Sequence, residues 1–218
     1  MEERYWQVVI ETLQQRGVAF QPGLRDDEVG WIEGIYGFTF PPDLRAFLQH
    51  ALPVSGPTPP PGAITGSNGF PNWRQEPDWS LRERLERPLH GLADNIVHTG
   101  FWLRSWGARP ADLETALEIA HREVAAAPKM IPVFSHRYIP SEPCLPGNPV
   151  FSIMGTDILY YGYDLTSYFF AEFQVPAPAV TAMVPRHIAF WSELFGAVWN
   201  DPPLTPPWWS ASPGGVDE

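Results

Sequence analysis

The order of secondary-structure signals predicts an α+β fold: a single domain with an antiparallel sheet of about four to six strands, flanked by helices. The regular patterns before Pro128 are helical, short β-rich runs appear only from Met130 on, and helical patterns return after Asp164. A third observation excludes the main competitor. With 26 prolines among 218 residues, an all-helical bundle or coiled coil has no room for them inside its helices.

Trp6, Val9, Ile10 and Leu13 recur at i, i+3, i+4 and i+7, the buried face of a helix that ends before Gly17. A second helix opens with Asp26, Asp27 and Glu28, three acids that favour a helix N-terminus, and carries Val29, Ile32 and Tyr36. Gly37 closes it. Phe38-Thr39-Phe40 is extended, and Pro41-Pro42-Asp43 opens a third helix bearing Leu44, Phe47, Leu48 and Ala51. Residues 53–77 hold seven prolines and read as a loop. Two short helices broken at Pro88 are expected next, one around Leu81 and Leu85, the other around Leu89, Leu92 and Ile96. An aromatic turn at 101–107 precedes a helix marked by Leu113, Ala116, Leu117, Ala120 and Val124.

Four strands are expected at Met130 to Phe134, Tyr138-Ile139, Val150 to Met154 and Ile158 to Tyr163, with Gly155-Thr156-Asp157 as the turn of the last hairpin. Asp164 caps a helix carrying Leu165, Tyr168, Phe169 and Phe173; a final helix holds Ile188, Trp191, Leu194, Phe195 and Val198. The domain is placed at 1–200. Residues 201–218, with five prolines, are expected to form a mobile tail in which Trp208-Trp209 alone could dock into a groove or a second subunit.

Composition narrows the function classes. Cys144 is the lone cysteine, so neither an internal disulfide nor a cysteine zinc site is available. The acidic start Met1-Glu2-Glu3-Arg4 lacks the basic and apolar regions of a secretory signal, and no apolar run approaches ~18 residues, so a cytoplasmic location is expected. The net charge of −11 divides as −4 over residues 1–60, −1 over 61–130 and −6 over 131–218. Such a surface repels nucleic acid and anionic lipid and would attract a basic protein, although solubility alone also explains it.

Gly37-Phe-Thr-Phe-Pro-Pro-Asp-Leu-Arg-Ala-Phe-Leu48, after an acidic helix, resembles the signature of the SUKH superfamily, which includes the Smi/Knr-type cell-wall regulators of yeast and many bacterial proteins. Its Gly–x–x–apolar–Pro–x–Asp core maps onto Gly37, Phe40, Pro41 and Asp43. Gly100-Phe-Trp-Leu-Arg-Ser-Trp-Gly107, Ile131-Pro-Val-Phe-Ser-His-Arg-Tyr138, Asn148-Pro-Val-Phe-Ser152 and Thr156-Asp-Ile-Leu-Tyr-Tyr-Gly162 look like a larger bacterial branch, and the similarity spans roughly 20–200. Two departures stand out. Ala51-Leu52-Pro53-Val54 replaces the frequent Asn-Gly-Gly, and Arg25 occupies the position of a capping Ser or Thr. The resemblance implies a sheet flanked by helices that works as a binding module without catalytic residues or cofactors. In bacteria it implies immunity against polymorphic or contact-dependent toxins, many of them nucleases.

Each chemical candidate has a plainer reading. Glu118-x-x-His121 is half of a carboxylate-bridged di-iron pattern whose second half is missing, and a solvated helix face explains both residues. Cys144 and His136 are the only available thiol–imidazole pair, yet nothing near Cys144 in sequence would lower its pKa. Asp157 and Asp164 flank a strand as a possible acid–base pair, but a turn and a helix cap account for them. Gly62-Ala-Ile-Thr-Gly-Ser-Asn-Gly69 lacks the Gly-Lys-Ser/Thr of a phosphate loop.

Alternation along the last strand puts Leu159, Tyr161 and Tyr163 on one face and Ile158 and Tyr160 on the other; one face must pack on helices and the other is available to a partner, with core packing the plainer role of any single aromatic. The expected partner-binding residues are therefore Tyr138, Tyr160 and Tyr161, with Asp157 beside them; the acidic second helix around Asp26, Asp27, Glu28 and Glu33 is the alternative face. Three functions follow: an immunity protein covering a basic toxin domain, a Smi/Knr-like regulator or scaffold of an endogenous process, and a hydrolase using Cys144, His136 or the aspartates.

Overall fold

A computed structural model describes residues 2–55, 69–177 and 182–198. It is α+β, with helices on both faces of a central sheet. Helix α1 (Glu2–Gln15) is followed by β1 (Phe20–Pro22), α2 (Asp26–Tyr36), α3 (Pro42–His50) and β2 (Ala51–Pro53). Strands β1 and β2 pair antiparallel, with Gln21 opposite Leu52. This small sheet was not expected. It is formed in part by Ala51-Leu52-Pro53, the segment that departs from the SUKH pattern, and fully buried Leu52 anchors it in the core.

Arg25 cannot cap α2 with its side chain, so the helix start is held in another way: Glu28 accepts a hydrogen bond from the Arg25 backbone N–H at 2.9 Å. Gly37, in the left-handed conformation (φ 64°), ends α2 by donating its N–H to the Glu33 carbonyl.

Helix α4 (Asp78–Thr99) corrects the expected break at Pro88, because it runs through that proline for 22 residues. Proline at position 88 removes the bond that the Arg84 carbonyl would accept. The Tyr138 hydroxyl supplies it instead, at 3.1 Å. A short 3₁₀ turn (Arg104–Trp106) then leads to α5 (Leu113–Ala126), capped by Asp112 on the Thr115 N–H.

Strands β3 (Met130–Phe134), β4 (Arg137–Pro140), β5 (Val150–Met154) and β6 (Asp157–Gly162) form an antiparallel meander in chain order. Helices α6 (Leu165–Phe173) and α7 (Trp191–Val198) follow; Ile188, expected within the last helix, precedes it. Asp164 caps α6 as expected, accepting from the Ser167 N–H at 2.7 Å. Its other carboxylate oxygen accepts from the Ala182 N–H at 3.0 Å.

Both faces of the meander are covered, which corrects the expectation of one open face. Ile131, Val133, Ile139 and Val150 join a cluster with residues of α1, α2, α3 and α6. Met130, Tyr138, Phe151, Ile153 and Ile158 join a second cluster with Leu92 and Ile96 of α4, Ala116 and Ala120 of α5, and Leu194 and Phe195 of α7. The two-sided burial explains why the sequence here reads as near-continuous apolar runs. On the second face α4 crosses the β5–β6 turn closely: a Cβ at Gly91 would come within 2.9 Å of the Gly155 backbone. The Gly62 to Gly69 loop, apart from Gly69, and the 201–218 tail lie outside the described residues.

Candidate functional site

Position in β4 decides the fate of Tyr138. It faces α4, is fully buried, and spends its hydroxyl on the Arg84 carbonyl. It therefore cannot serve as an exposed anchor; burial pushes its phenol up to about 12. Tyr160 is half-buried on the same face, with its ring 4.9 Å from that of Phe195 and its hydroxyl donating to Ser192 at 2.6 Å. Tyr161 points to the other face, where the Arg137 guanidinium lies 3.7 Å from its ring centroid. Arg137 is itself buried and bonded to Glu172 (2.9 Å) and Ser152 (2.9 Å). Asp157 alone of the four is exposed, at the start of β6. The structure thus places the four candidates on both faces and one edge of the sheet and does not assemble them into one surface.

His136 sits in the β3–β4 turn, bonded to Ser135 and in close contact with the Arg137 guanidinium. Burial, with Arg137 and Arg87 nearby, lowers its imidazole to about 4, while Asp157 opposes that shift. Cys144 lies beyond the opposite end of β4 and donates weakly to the Phe40 carbonyl at 3.7 Å. The thiol and imidazole are separated by the length of the strand and do not form a nucleophile–base pair. Asp157 and Asp164 likewise bracket β6 from opposite ends, and Asp164 is occupied by the α6 cap. Among the described residues no three His, Cys, Asp or Glu side chains gather to hold a metal ion, and no helix is long and apolar enough to cross a membrane.

The acidic second helix presents something else. Its buried stripe is Val29, Ile32 and Tyr36; beside that stripe, Trp31 is 60% exposed and Ile35 39%. They stand one turn apart on the outer face, next to Gly30 and Gly34, around which the space is open. The Tyr36 hydroxyl donates to Asp78 at 3.1 Å, tying the last turn of α2 to the first turn of α4, where Trp79 is 69% exposed. The acids around this face are largely compensated within the fold. Asp26 accepts from Arg45 at 2.7 Å, Asp27 pairs with Arg25, and Glu28 takes a two-pronged contact from Arg74 that lowers its carboxyl to about 2. Trp31, Ile35 and Trp79 were missed because each lies off the helical stripe, and that off-stripe placement is the signal that would have found them.

A cleft lies between α4 and the C-terminal part of α5. Its floor includes Leu85, Leu89, Val124 and Trp191, and Arg82, Glu86 and Lys129 are its charged lining; its volume is about 280 Å³. Comparison with family models, with curated proteins and with solved structures finds no match to this chain.

Proposed function

We propose that the chain is a protein-binding module of the SUKH kind, an immunity protein that neutralises a basic toxin domain by direct contact. The observation that carries the binding reading is the α2–α4 corner, where Trp31, Ile35 and Trp79 expose apolar surface that the fold itself does not use. Tryptophan is the residue most enriched among energetic anchors of protein interfaces, and exposed apolar groups of this size mark contact sites. The net charge of −11 supports a basic partner through attraction at long range. The toxin-immunity assignment rests on the sequence resemblance.

The test is affinity capture from the source cells, identification of the bound protein, and expression of that protein with and without this chain. Restored growth that fails in a folded Trp31→Ala/Trp79→Ala variant supports the proposal. A captured endogenous protein without toxicity would assign the chain to the regulatory class instead.

A further inference from the structure

The cleft between α4 and α5 is open and apolar at its floor, and its lining carries Arg82, Lys129 and Glu86. Leu85, Leu89, Val124 and Trp191 supply the floor. Arg82 and Lys129 stand at the edge; Arg82 pairs with Asp78 at 2.8 Å, while Lys129 donates to the Tyr36 carbonyl at 2.9 Å. Among the described residues no carboxylate pairs with Lys129, the only lysine of the chain. The volume of about 280 Å³ is at the small end for ligand pockets, room for one or two large side chains rather than a nucleotide cofactor.

Trp191 in the cleft floor is the first residue of α7, tied there by its indole N–H to the Pro128 carbonyl at 2.8 Å. The eight residues of α7 cover about 12 Å, so Val198 ends within that distance of the floor. Ten residue steps at the polyproline II rise cover about 31 Å, so the number of residues between Val198 and Trp208 is enough to reach it. Residues 199–218 contain Trp199, the pair Trp208-Trp209, Asp201, Asp217 and Glu218, and no lysine or arginine.

From the match of an apolar floor to paired indoles, the reach of the segment, and Lys129 without a carboxylate partner beside an acidic segment, we infer that the cleft is the docking site of the chain's own C-terminal segment, with Trp208 or Trp209 seated over Leu89 and Trp191. The attachment is intramolecular, so even weak contacts suffice because the tether supplies a high effective concentration.

Fluorine NMR of the full chain grown with 5-fluorotryptophan tests this. Trp208→Phe and Trp209→Phe assign the two resonances; buried Trp6 and Trp73 and exposed Trp31 and Trp79 serve as internal references. At least one tail resonance should show the small H₂O/D₂O shift of a buried indole. That protection should be lost in Leu89→Asp and reduced in Lys129→Glu, with the Trp6 and Trp73 resonances unmoved to report an intact fold. Should Leu89→Asp disturb those references, Lys129→Glu and Arg82→Glu, both at exposed positions, carry the test. The inference is overturned if both tail resonances behave like Trp79 in the unmodified chain. It is equally overturned if protection disappears on dilution, which would mean a second copy supplies the tail, or if protection survives the rim variants undiminished.

Discussion

The hydroxyl of Tyr138 donates to the carbonyl oxygen of Arg84, the one acceptor in α4 that Pro88 leaves without its helical donor. A strand side chain thereby repairs a helix, and the repair lets α4 continue for 22 residues instead of breaking in two. Tyr138→Phe keeps the ring and leaves that carbonyl unsatisfied in the core, which should cost about 1–3 kcal/mol. In a Pro88→Ala background the restored N–H takes over, so the same substitution should cost less, with a coupling of about 1 kcal/mol or more. Urea unfolding of the four proteins measures it; additive costs would show that the hydroxyl does not answer the proline.

Acid sensitivity should have two identifiable sources. The folded protein holds His136 neutral down to about 4, against an ordinary 6.5, because burial and the neighbouring Arg137 and Arg87 oppose its charge. The unfolded chain then binds the extra proton between those values, so stability falls as pH drops from about 6.5 toward 4. Glu28, held near 2 by Arg74, contributes stability that is lost as pH falls from 4.5 through 2. Burial raises Asp43 and acts in the opposite sense, so the decisive quantity is the difference between variant and parent. Urea midpoints of His136→Gln should fall less between pH 7 and 4.5 than those of the parent. Parallel curves would remove His136 as a source.

Tyr168 offers a test in the stabilising direction. Its ring is fully buried against Tyr161, Phe169 and Phe173, and its hydroxyl has no hydrogen-bond partner among the described residues. Tyr168→Phe removes a desolvated polar group without changing the shape of the core, so it should be neutral or stabilising by up to about 2 kcal/mol. A fall in melting temperature would show that the hydroxyl does have a partner, a buried water being the simplest.

The fold class was legible because helical and strand periodicities occupy separate stretches of the chain, and the four strands of the meander fall within a residue or so of their expected places. What escaped depended on contacts distant in sequence. Nothing near Pro88 announces that Tyr138, fifty residues on, will satisfy its helix. Ala51-Leu52-Pro53 is too short for a strand signal of its own and becomes one only by pairing with Phe20–Pro22. The candidate anchors were chosen as aromatic residues on a strand with one presumed open face, and coverage of that face by α4, α5 and α7 placed Tyr138 inside. Trp31 and Ile35 carried the complementary signal, apolar residues off the buried stripe of a helix.

Close packing at the β5–β6 turn yields a prediction whose sign is set by geometry. In the interior of α4, Gly91→Ala would ordinarily gain about 1 kcal/mol of helix propensity. Here the new methyl would meet the Gly155 backbone at 2.9 Å, and Gly155 is held by its own turn at φ 64°. Backbone on both sides has no flexible end to yield, so the clash should outweigh the propensity gain and destabilise the protein by about 1–3 kcal/mol. A gain in stability would mean that α4 can slide on the hairpin.

The two candidate binding faces separate kinetically once a partner is in hand. Trp31 and Trp79 present rings that the fold does not need, so truncating either should leave the urea midpoint nearly unchanged. If they anchor the partner, Trp31→Ala or Trp79→Ala should weaken binding by at least ~2 kcal/mol, roughly thirtyfold, mostly through faster dissociation. Tyr160 and Tyr161 behave in the opposite way. Their rings pack on Phe195 and beneath Arg137, so alanine there should lower stability before it touches affinity. Asp157 is exposed; Asp157→Ala should slow association modestly at low salt, an effect that shrinks as added salt shortens the Debye length below ~8 Å. Of the eight acids in residues 131–218, Asp201, Asp217 and Glu218 lie outside the described residues, Asp164 caps α6 and Glu172 pairs with Arg137, leaving Glu142, Asp157 and Glu193. Steering by this half of the chain should therefore be weaker than its sequence charge of −6 suggests. Surface plasmon resonance at two salt concentrations, run beside urea unfolding of each variant, reads all of these outcomes. Faster dissociation in Tyr160→Ala at unchanged stability, with Trp31→Ala and Trp79→Ala binding as the parent does, would move the interface from the α2–α4 corner to the edge of β6.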